Sequence, residues 1–194
     1  MPNEIILASR SNARKRLLEL LGYSVIVKPS FSSETFMEKA RLNEAIEVTV
    51  KNAINKLSKF SESNVPIVSA DTVIWLNDRI YGKPKNKREA RNILCNLSGK
   101  THIVITSIAV KYHGNVFCDT DLARVKMRKY NMDEIGFYLG RTRYKALAGA
   151  YAIQTRGAML IEKIIGSPYT VIGLPTHIFI RFMKKISYWP PVSK

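Results

Sequence analysis

Two residues of opposite charge, Asp71 and Lys83, stand where a carboxylate and an ammonium group can act together on a phosphate. Asp71 ends the apolar run 65–70, so we expect it at the mouth of a buried strand, where its oxygens can reach a hard cation such as Mg2+. Lys83 lies in Gly82-Lys83-Pro84, after a predicted hairpin, and supplies a mobile point charge for a phosphate oxygen. The pair therefore predicts a site for phosphate and a divalent metal.

A second candidate anion site lies where the first predicted strand feeds the first predicted helix. This segment carries Ser9, Ser11 and Arg14, whose hydroxyl and guanidinium groups can converge on a triphosphate together with backbone N–H groups. The alternative is an ordinary N-cap serine followed by a solvated basic first turn. Positive charge at a helix N-terminus opposes the macrodipole, which leaves that alternative without a stability rationale. The residues alone leave both interpretations open.

Two further polar residues are candidates on weaker grounds. Glu34 lies in a predicted loop, and a loop carboxylate in a chain with 15 acidic against 31 basic residues is a candidate metal ligand. Gln154 ends the segment Gly149-Ala150-Tyr151-Ala152-Ile153-Gln154, which contains small residues that permit close backbone approach. Its amide can both donate and accept hydrogen bonds. Recognition of a base and ordinary tight packing both explain that segment.

Several familiar site motifs are excluded. Gly99-Lys100-Thr101 is not a P-loop, because the earlier glycine of that motif would have to be Leu94 and because the segment precedes a strand. The chain has no G-x-G-x-x-G, which removes the dinucleotide fingerprint. The three histidines have no zinc-site spacing and are predicted to be structural: His102, His113 and His177.

The composition bounds what such a site can belong to. A chain of 194 residues with 46% hydrophobic types can bury a core as one domain, and we predict that domain over 1–186 with a tail at 187–194. Cys95 and Cys118 have no disulfide or metal spacing, so we expect free, buried thiols in a reducing cytoplasm. No segment resembles a signal peptide or a membrane span. The formal charge of +16 predicts attraction to polyanions, and nucleic acid, a polyphosphate nucleotide and a merely basic surface all fit it.

The hydrophobic pattern alternates between strand and helix along the whole chain. Strands are predicted at 5–8, 24–28, 65–70, 103–112, 124–128 and 158–164. Helices are predicted at 12–21, 44–60, 87–97, 132–139 and approaching residue 185. Because strands and helices interleave throughout, the predicted class is α/β.

Read in order, these segments resemble the Maf family of nucleoside triphosphate pyrophosphatases from residue 5 to about residue 175. The segments that carry the resemblance are Leu7-Ala8-Ser9, Ser11 with Arg14, Ala70-Asp71-Thr72-Val73, Gly82-Lys83-Pro84, Leu97-Ser98-Gly99-Lys100-Thr101-His102, Ala148-Gly149-Ala150-Tyr151 with Gln154, and Gly173-Leu174-Pro175. The resemblance implies an elongated mixed sheet flanked by helices, with two lobes around a deep cleft, similar to the inosine triphosphatase class. The implied reaction converts a nucleoside triphosphate and water into the monophosphate and pyrophosphate.

The resemblance also implies roles for individual residues. Ser9, Ser11, Arg14 and Lys83 would bind substrate phosphates, with Lys83 also catalytic. Asp71 would bind the metal and activate water, and Glu34 matches a further acidic, metal-binding position. Gln154 falls on a substrate-contacting position typical of the branch that acts on dTTP and UTP. The implied cofactor is a divalent metal, Mg2+ first and Mn2+ or Co2+ next, and a homodimer is a common assembly in the family.

The chain departs from the family pattern at four places. Ala13 stands where one of two adjacent arginines is usual, with Arg10 and Lys15 as substitutes, and Ser33 stands where an aspartate is usual. In the long helix the usual Lys-Ala is Asn52-Ala53, with Lys51 beside it. The usual Asp-Lys before Ala148 is Ala146-Leu147. These departures predict a shift in activity or in substrate choice.

Two other classes of function compete with hydrolysis. The basic excess and the aromatic residues among the charges suggest a non-catalytic nucleic-acid-binding protein, but the chain has no recognisable binding motif of that kind and Asp71 would have no purpose. The family's link to septum formation suggests a regulator of cell division, which would bind without turnover. A hydrolase accounts for both the acidic and the basic residues.

Overall fold

The computed structural model describes residues 3–189, so residues 190–194 of the predicted tail lie outside the described part of the chain. The strands are β1 (Glu4–Leu7), β2 (Ser24–Val27), β3 (Ile67–Leu76), β4 (Arg79–Tyr81), β5 (Thr101–Tyr112), β6 (Asn115–Met127) and β7 (Ile161–Ile165). The helices are α1 (Asn12–Leu20), α2 (Leu42–Leu57), α3 (Lys87–Leu97), α4 (Met132–Leu139), α5 (Pro168–Ile172) and α6 (Thr176–Lys185). Short 3-10 helices lie at Tyr144–Ala146, Ala148–Ala150 and Arg156–Leu160.

The strands form one mixed sheet in the order β2-β1-β3-β5-β6-β7, with β4 paired to β3. β1 runs parallel to β2 and β3, and the other pairs are antiparallel. β3 and β4 are joined by a two-residue turn at Asn77 and Asp78, whose φ angles of 51° and 55° suit the twist of a hairpin. The predicted α/β class, a mixed sheet flanked by helices, is confirmed.

Polar residues interrupt the apolar rows of β3 halfway along the strand. On one face, Val68 and Ala70 pack in a cluster with α1 and α6, whereas Ile74 and Leu76 pack in a separate cluster with α3 and α4. Thr72 lies between the two. Since a strand alternates its side chains, the polar residue marks the border between two hydrophobic cores.

The opposite face of β3 repeats this division. Ile67 and Val73 belong to two different clusters, each packed against α2, and Asp71 lies between them. A cleft crosses the molecule at this polar band, lined by both Asp71 and Thr72. The prediction of two lobes around a deep cleft is confirmed.

Two local expectations were wrong. The segment predicted as a strand at 158–164 begins as the 3-10 helix Arg156–Leu160 and becomes a strand only at β7. Both thiols are free as predicted, but neither is buried, since Cys118 is only half-buried and Cys95 is exposed. Helix α3 buries other residues than Cys95: Ala90, Ile93, Leu94 and Leu97. Within residues 3–189, no helix is both long enough and apolar enough to cross a membrane.

Candidate active site

One cleft, with a volume of about 1040 Å³, lies between the two lobes. It is built from the start of α1, the loop before α2, the middle of β3, the β3–β4 hairpin, α3 and the 3-10 segment near residue 150. Every predicted site residue lines it: Ser9, Ser11, Arg14, Glu34, Asp71, Lys83 and Gln154. The fold therefore brings together residues that lie up to 145 positions apart in the sequence, from Ser9 to Gln154.

Asp71 lies in the middle of its strand, and the expectation that it ends the strand was wrong. β3 continues to Leu76 because further apolar residues extend the run, and β5 pairs with it throughout. On the other side, β1 pairs only as far as Val68, and β4 begins to pair at Ile74. Residues 69–73 therefore have one free edge in the described sheet. Asp71 gains access to the cleft through this gap rather than through a strand end.

The Asp71 carboxylate is held by two side chains of α2. Lys56 Nζ donates to Oδ1 at 2.6 Å, and Asn52 Nδ2 donates to Oδ2 at 3.1 Å. All three side chains are buried. Asn52 also exchanges two hydrogen bonds with the Thr35 backbone, at 2.8 and 2.9 Å. Thus the departure at Asn52 has a structural role: it links Asp71 to the loop that carries Glu34.

Glu34 faces the same ammonium group from the other side. Its Oε1 lies 2.9 Å from Lys56 Nζ and 3.7 Å from Lys83 Nζ, and the side chain is 42% exposed. Partial burial acts to raise the pKa of Glu34, but Lys56, Lys83 and Arg14 outweigh it and leave the pKa below its ordinary value. Glu34 is therefore held as a carboxylate beside Asp71, as a metal ligand must be.

Lys56 is a central residue of this site that the motif analysis missed. A signal for it existed in α2, whose buried positions are Ala45, Val48, Thr49, Asn52, Ala53, Lys56 and Leu57. This spacing is the inward stripe of a helix, and a lysine inside such a stripe needs partners for its charge. Extending the stripe by one turn from Asn52 would have placed Lys56 against Asp71.

Lys83 reaches the cleft from the segment that follows the hairpin. Its side chain is 53% exposed, and its contact with Glu34 at 3.7 Å is loose, so the ammonium group is free to move toward a ligand. The preceding carbonyl of Gly82 accepts a hydrogen bond from the Gly149 N–H at 2.9 Å. At Gly149, whose φ is 64°, a Cβ would lie 2.0 Å from Ile74 Cδ1, so only glycine fits there. The Lys83 side chain is therefore exposed, whereas the backbone just before it is tied to Gly149 by a hydrogen bond.

Arg14 is buried at the base of the cleft and is bonded to the protein itself. Its Nε donates to the Gly173 carbonyl at 2.8 Å, and its Nη2 donates to Thr72 Oγ1 at 3.0 Å. Its Nη1 donates to the Ala70 carbonyl at 2.9 Å and to Ser9 Oγ at 3.1 Å. These bonds engage four of the five guanidinium N–H groups. Burial lowers the pKa of Arg14, and the carboxylates of Asp71 and Glu34 act in the opposite direction.

Ser11 is the N-cap of α1, its hydroxyl accepting from the Arg14 N–H at 3.3 Å. The two basic residues considered as substitutes at this end of the helix differ in position. Arg10 lines the cleft, with its guanidinium 4.9 Å from the centre of the Phe31 ring. Lys15 does not line the cleft and pairs with Glu19 at 3.4 Å. Arg10 is therefore the better placed of the two to meet a phosphate.

Gln154 is an exposed residue that lines the cleft, as do the sequence departures Ala146 and Leu147. Helix α3 contributes two neutral amides to the same lining, Asn92 and Asn96, which lie one helical turn apart. The cleft therefore offers neutral hydrogen-bonding groups as well as charged ones. Such a lining suits a ligand with a charged part and a neutral, hydrogen-bonding part.

A buried pair, His102 and Tyr151, lies at the cleft wall, and Tyr151 lines the cleft. His102 Nε2 lies 2.8 Å from the Tyr151 hydroxyl, and His102 is 1% exposed. Its Nδ1 has no hydrogen-bond partner within the described residues. Burial lowers the pKa of His102 to about 4 and also raises the pKa of Tyr151. The pair is therefore neutral at physiological pH and structural, as predicted for His102.

The donor set suits a divalent ion that is shared with a ligand. Residues 3–189 contain no group of three or more His, Cys, Asp and Glu side chains placed to hold a metal. Asp71 and Glu34 do offer two carboxylates on either side of one cation, with lone pairs left over. Mg2+ is commonly bound by one or two carboxylates together with substrate phosphates. These residues fit such an ion.

Comparison with known proteins identifies the family of this chain. The model of the Maf-like protein family matches residues 4–186, and the chain belongs to that family. A dTTP/UTP pyrophosphatase of Dictyoglomus thermophilum is 38% identical over 193 residues, which cover 97% of this chain and 98% of that protein. A dTTP/UTP pyrophosphatase of Pyrococcus furiosus is 36% identical over 182 residues, covering 93% and 94% of the two chains.

The chain also has similarity to solved structures. The Ham1 protein of Staphylococcus aureus is 18% identical and superposes with a TM-score of 0.44, over 64% of this chain and 71% of that one.

Proposed function

We propose that this protein is a metal-dependent nucleoside triphosphate pyrophosphatase that hydrolyses dTTP and UTP to the monophosphate and pyrophosphate. The observation that carries the proposal is the pair of carboxylates, Asp71 and Glu34, fixed around one lysine beside the mobile Lys83. The family membership and the names of the relatives support the reaction and the substrates.

The triphosphate would lie at the charged end of the cleft. A triphosphate carries about four negative charges, which call for cations that are not already engaged. Arg79 is paired with Glu38, and Arg14 is bonded to the protein. The freer cations of the cleft lining are therefore Lys83, Lys85 and Arg10. Lys83 offsets the charge that develops as pyrophosphate leaves. Ser9, Ser11 and Arg14 shape the adjoining wall.

A divalent metal, which we propose to be Mg2+, would be held by Asp71 and Glu34 together with phosphate oxygens of the substrate. When bound, it would neutralise phosphate charge and polarise the α-phosphoryl group. The protein's own contribution is geometric, because Lys56 and Asn52 fix the direction in which the Asp71 oxygens point.

Asp71 orients the attacking water and accepts its proton. The water oxygen forms a bond to the α-phosphorus, the bond to the bridging oxygen breaks, and pyrophosphate leaves with that electron pair. The monophosphate retains the new oxygen. This assignment places attack at the α- rather than the γ-phosphorus.

The base would lie against neutral amides of the cleft lining, which include Gln154 and the α3 residues Asn92 and Asn96. Uracil and thymine present alternating acceptor and donor groups, and a carboxamide can satisfy both at once. An open rim at the exposed Gln154 leaves room for the methyl group that distinguishes thymine from uracil. This arrangement supports acceptance of both nucleotides.

The test is a pyrophosphate-release screen across the common nucleoside triphosphates with Mg2+, Mn2+ and Co2+. We expect dTTP and UTP to yield monophosphate and pyrophosphate, with turnover abolished by chelator. Release of orthophosphate and a diphosphate would overturn the attack site, and absence of turnover with every nucleotide would overturn the function. Nucleic-acid binding or cell-division control without turnover would leave the Asp71–Lys56–Glu34 cluster without a role. A cytoplasmic location and a homodimer stay predictions.

A further inference from the structure

Lys56 occupies the place between the two carboxylates that a metal would share. Its Nζ lies 2.6 Å from Asp71 Oδ1, 2.9 Å from Glu34 Oε1 and 3.2 Å from the Ala70 carbonyl oxygen. An ammonium group has three N–H donors, so each has an oxygen partner here. The residue is 7% exposed. The protein thus carries its own cation at the site.

The two carboxylates are also balanced in charge. Lys56 contacts both Asp71 and Glu34, and Lys83 is the second ammonium beside Glu34. Two negative and two positive groups therefore meet within contact distance, and the buried Arg14 lies close enough to influence Glu34. A bare divalent cation would gain no net attraction from this group, and it would meet Lys56 at the same oxygens.

The cation cannot easily withdraw. Lys56 projects from the buried stripe of α2, and Asn52, one turn earlier on that stripe, bonds both to Asp71 and to the backbone beside Glu34. Helix α2 therefore fixes the Asp71 carboxylate and the backbone next to Glu34 before any ligand arrives. Lys56 itself is buried and contacts both carboxylates.

We propose that Lys56 excludes bare divalent cations from Asp71 and Glu34, so that the metal enters only as its complex with the triphosphate. This inference rests on the proposed function for the identity of the substrate. A metal–triphosphate complex is still anionic, so Lys83 and Arg10 attract it where they would repel the free ion. Its phosphates also supply ligands that the protein does not offer, and the lone pairs of Asp71 and Glu34 not used by Lys56 suffice for the rest.

The experiment is a titration of the nucleotide-free protein with Mn2+ alone, counting free ion by electron paramagnetic resonance. We expect no saturable binding to the wild type. Lys56→Met and Lys56→Gln should gain one saturable Mn2+ site because one unit charge beside the ion is gone, with an affinity at least about tenfold above the limit that the wild-type titration sets. Lys51→Met is the matched control, since Lys51 is an exposed lysine of the same helix, and it should behave as the wild type.

A second arm adds an α,β-methylene analogue of UTP, which cannot be hydrolysed at the bridging position, to the wild type. Mn2+ should then bind in a one-to-one ratio with the analogue. Tight Mn2+ binding by the nucleotide-free wild type would overturn the inference, as would folded Lys56 variants, checked by circular dichroism, that gain no site. If both variants unfold, the wild-type titration decides alone.

The two proposals fail separately. The titration without nucleotide involves no turnover, so a gained Mn2+ site in Lys56→Met combined with no pyrophosphate release from any nucleotide would sustain the exclusion by Lys56 and remove the proposed reaction. If the wild-type protein released pyrophosphate but also bound Mn2+ tightly without nucleotide, the proposed reaction would stand and the exclusion by Lys56 would be overturned.

Discussion

The side chains of Arg14 and Lys56 meet on one oxygen atom. The Ala70 carbonyl accepts from Arg14 Nη1 at 2.9 Å and from Lys56 Nζ at 3.2 Å. Arg14 also bonds Thr72 on one face of β3, whereas Lys56 bonds Asp71 on the other. Two cations from different helices therefore converge on the free edge of the strand that carries the proposed catalytic carboxylate.

Arg14→Ala should lower both stability and activity. Four hydrogen bonds from a buried guanidinium would be lost, which removes the Arg14 donor from the Gly173 carbonyl and leaves the Ala70 carbonyl with Lys56 alone. We expect a loss of about 2–4 kcal/mol in the free energy of unfolding. Arg14→Lys should also be less stable than the wild type, because an ammonium group lacks the planar set of donors of a guanidinium. Urea denaturation measures the change, with the exposed Arg16→Ala as control. Unchanged stability with a raised KM would show instead that Arg14 serves mainly to bind substrate.

Asp71→Asn should reduce kcat by about a hundredfold or more, the scale of losing general-base help. The same change removes one of two carboxylates that compensate the buried Lys56, while Glu34 remains 2.9 Å away. We therefore expect a moderate loss of about 1–3 kcal/mol in stability, smaller than for a buried charge left with no partner. Kinetics and a melting curve on the same preparation measure both, with the exposed turn variant Asp78→Asn as control. Turnover near that of the wild type would remove Asp71 from the mechanism.

Gln154→Glu should change nucleotide preference and leave stability unaltered. The side chain is exposed, so its replacement disturbs no packing, but a carboxylate cannot donate the hydrogen bond that an acceptor on the base requires. We expect kcat/KM to fall most for dTTP and UTP, measured against the other nucleoside triphosphates as internal controls. Equal losses for every nucleotide would mean that Gln154 does not select the base.

His102 should make stability depend on pH in mildly acidic solution. Its pKa falls from 6.5 in the unfolded chain to about 4 in the fold, so between these values the unfolded state binds a proton that the native state does not. Its contribution is complete above pH 6.5 and is lost as the pH falls toward 4, amounting to about 3 kcal/mol. Urea unfolding at several pH values should show a shallower slope for His102→Gln. Parallel curves would contradict the assignment.

Much of the fold could be predicted from local patterns. Helices α3 and α4 have the predicted bounds. Local sequence defines both helices, through the spacing of their apolar residues and through the N-caps Asn86 and Asn131. The position of Asp71 within its strand was harder to predict. An apolar run followed by one acidic residue resembles a strand end until the pairing with β5 is known. The free edge beside it depends on where β1 and β4 stop and start, which is a tertiary property.

The candidate site could likewise be predicted only in part from the sequence. Motif spacing identified Asp71, Glu34 and Lys83, all of which line one cleft. It missed Lys56, which lies outside those motifs and is revealed only when the buried stripe of α2 is followed to its end. The contact between Lys56 and Glu34 joins residues on different elements, and no local pattern encodes it.

The polar band across the sheet also limits how the molecule can move. β3, β5 and β6 run unbroken through both lobes, and Thr72 pairs with Thr106 at the border between the two cores. Widening the cleft at the sheet therefore requires these three hydrogen-bonded strands to bend together. Because the sheet is continuous across the cleft, we expect the width of the cleft to change little when a nucleotide binds. The fit to the nucleotide then depends on side chains at the rim of the cleft, such as Lys83.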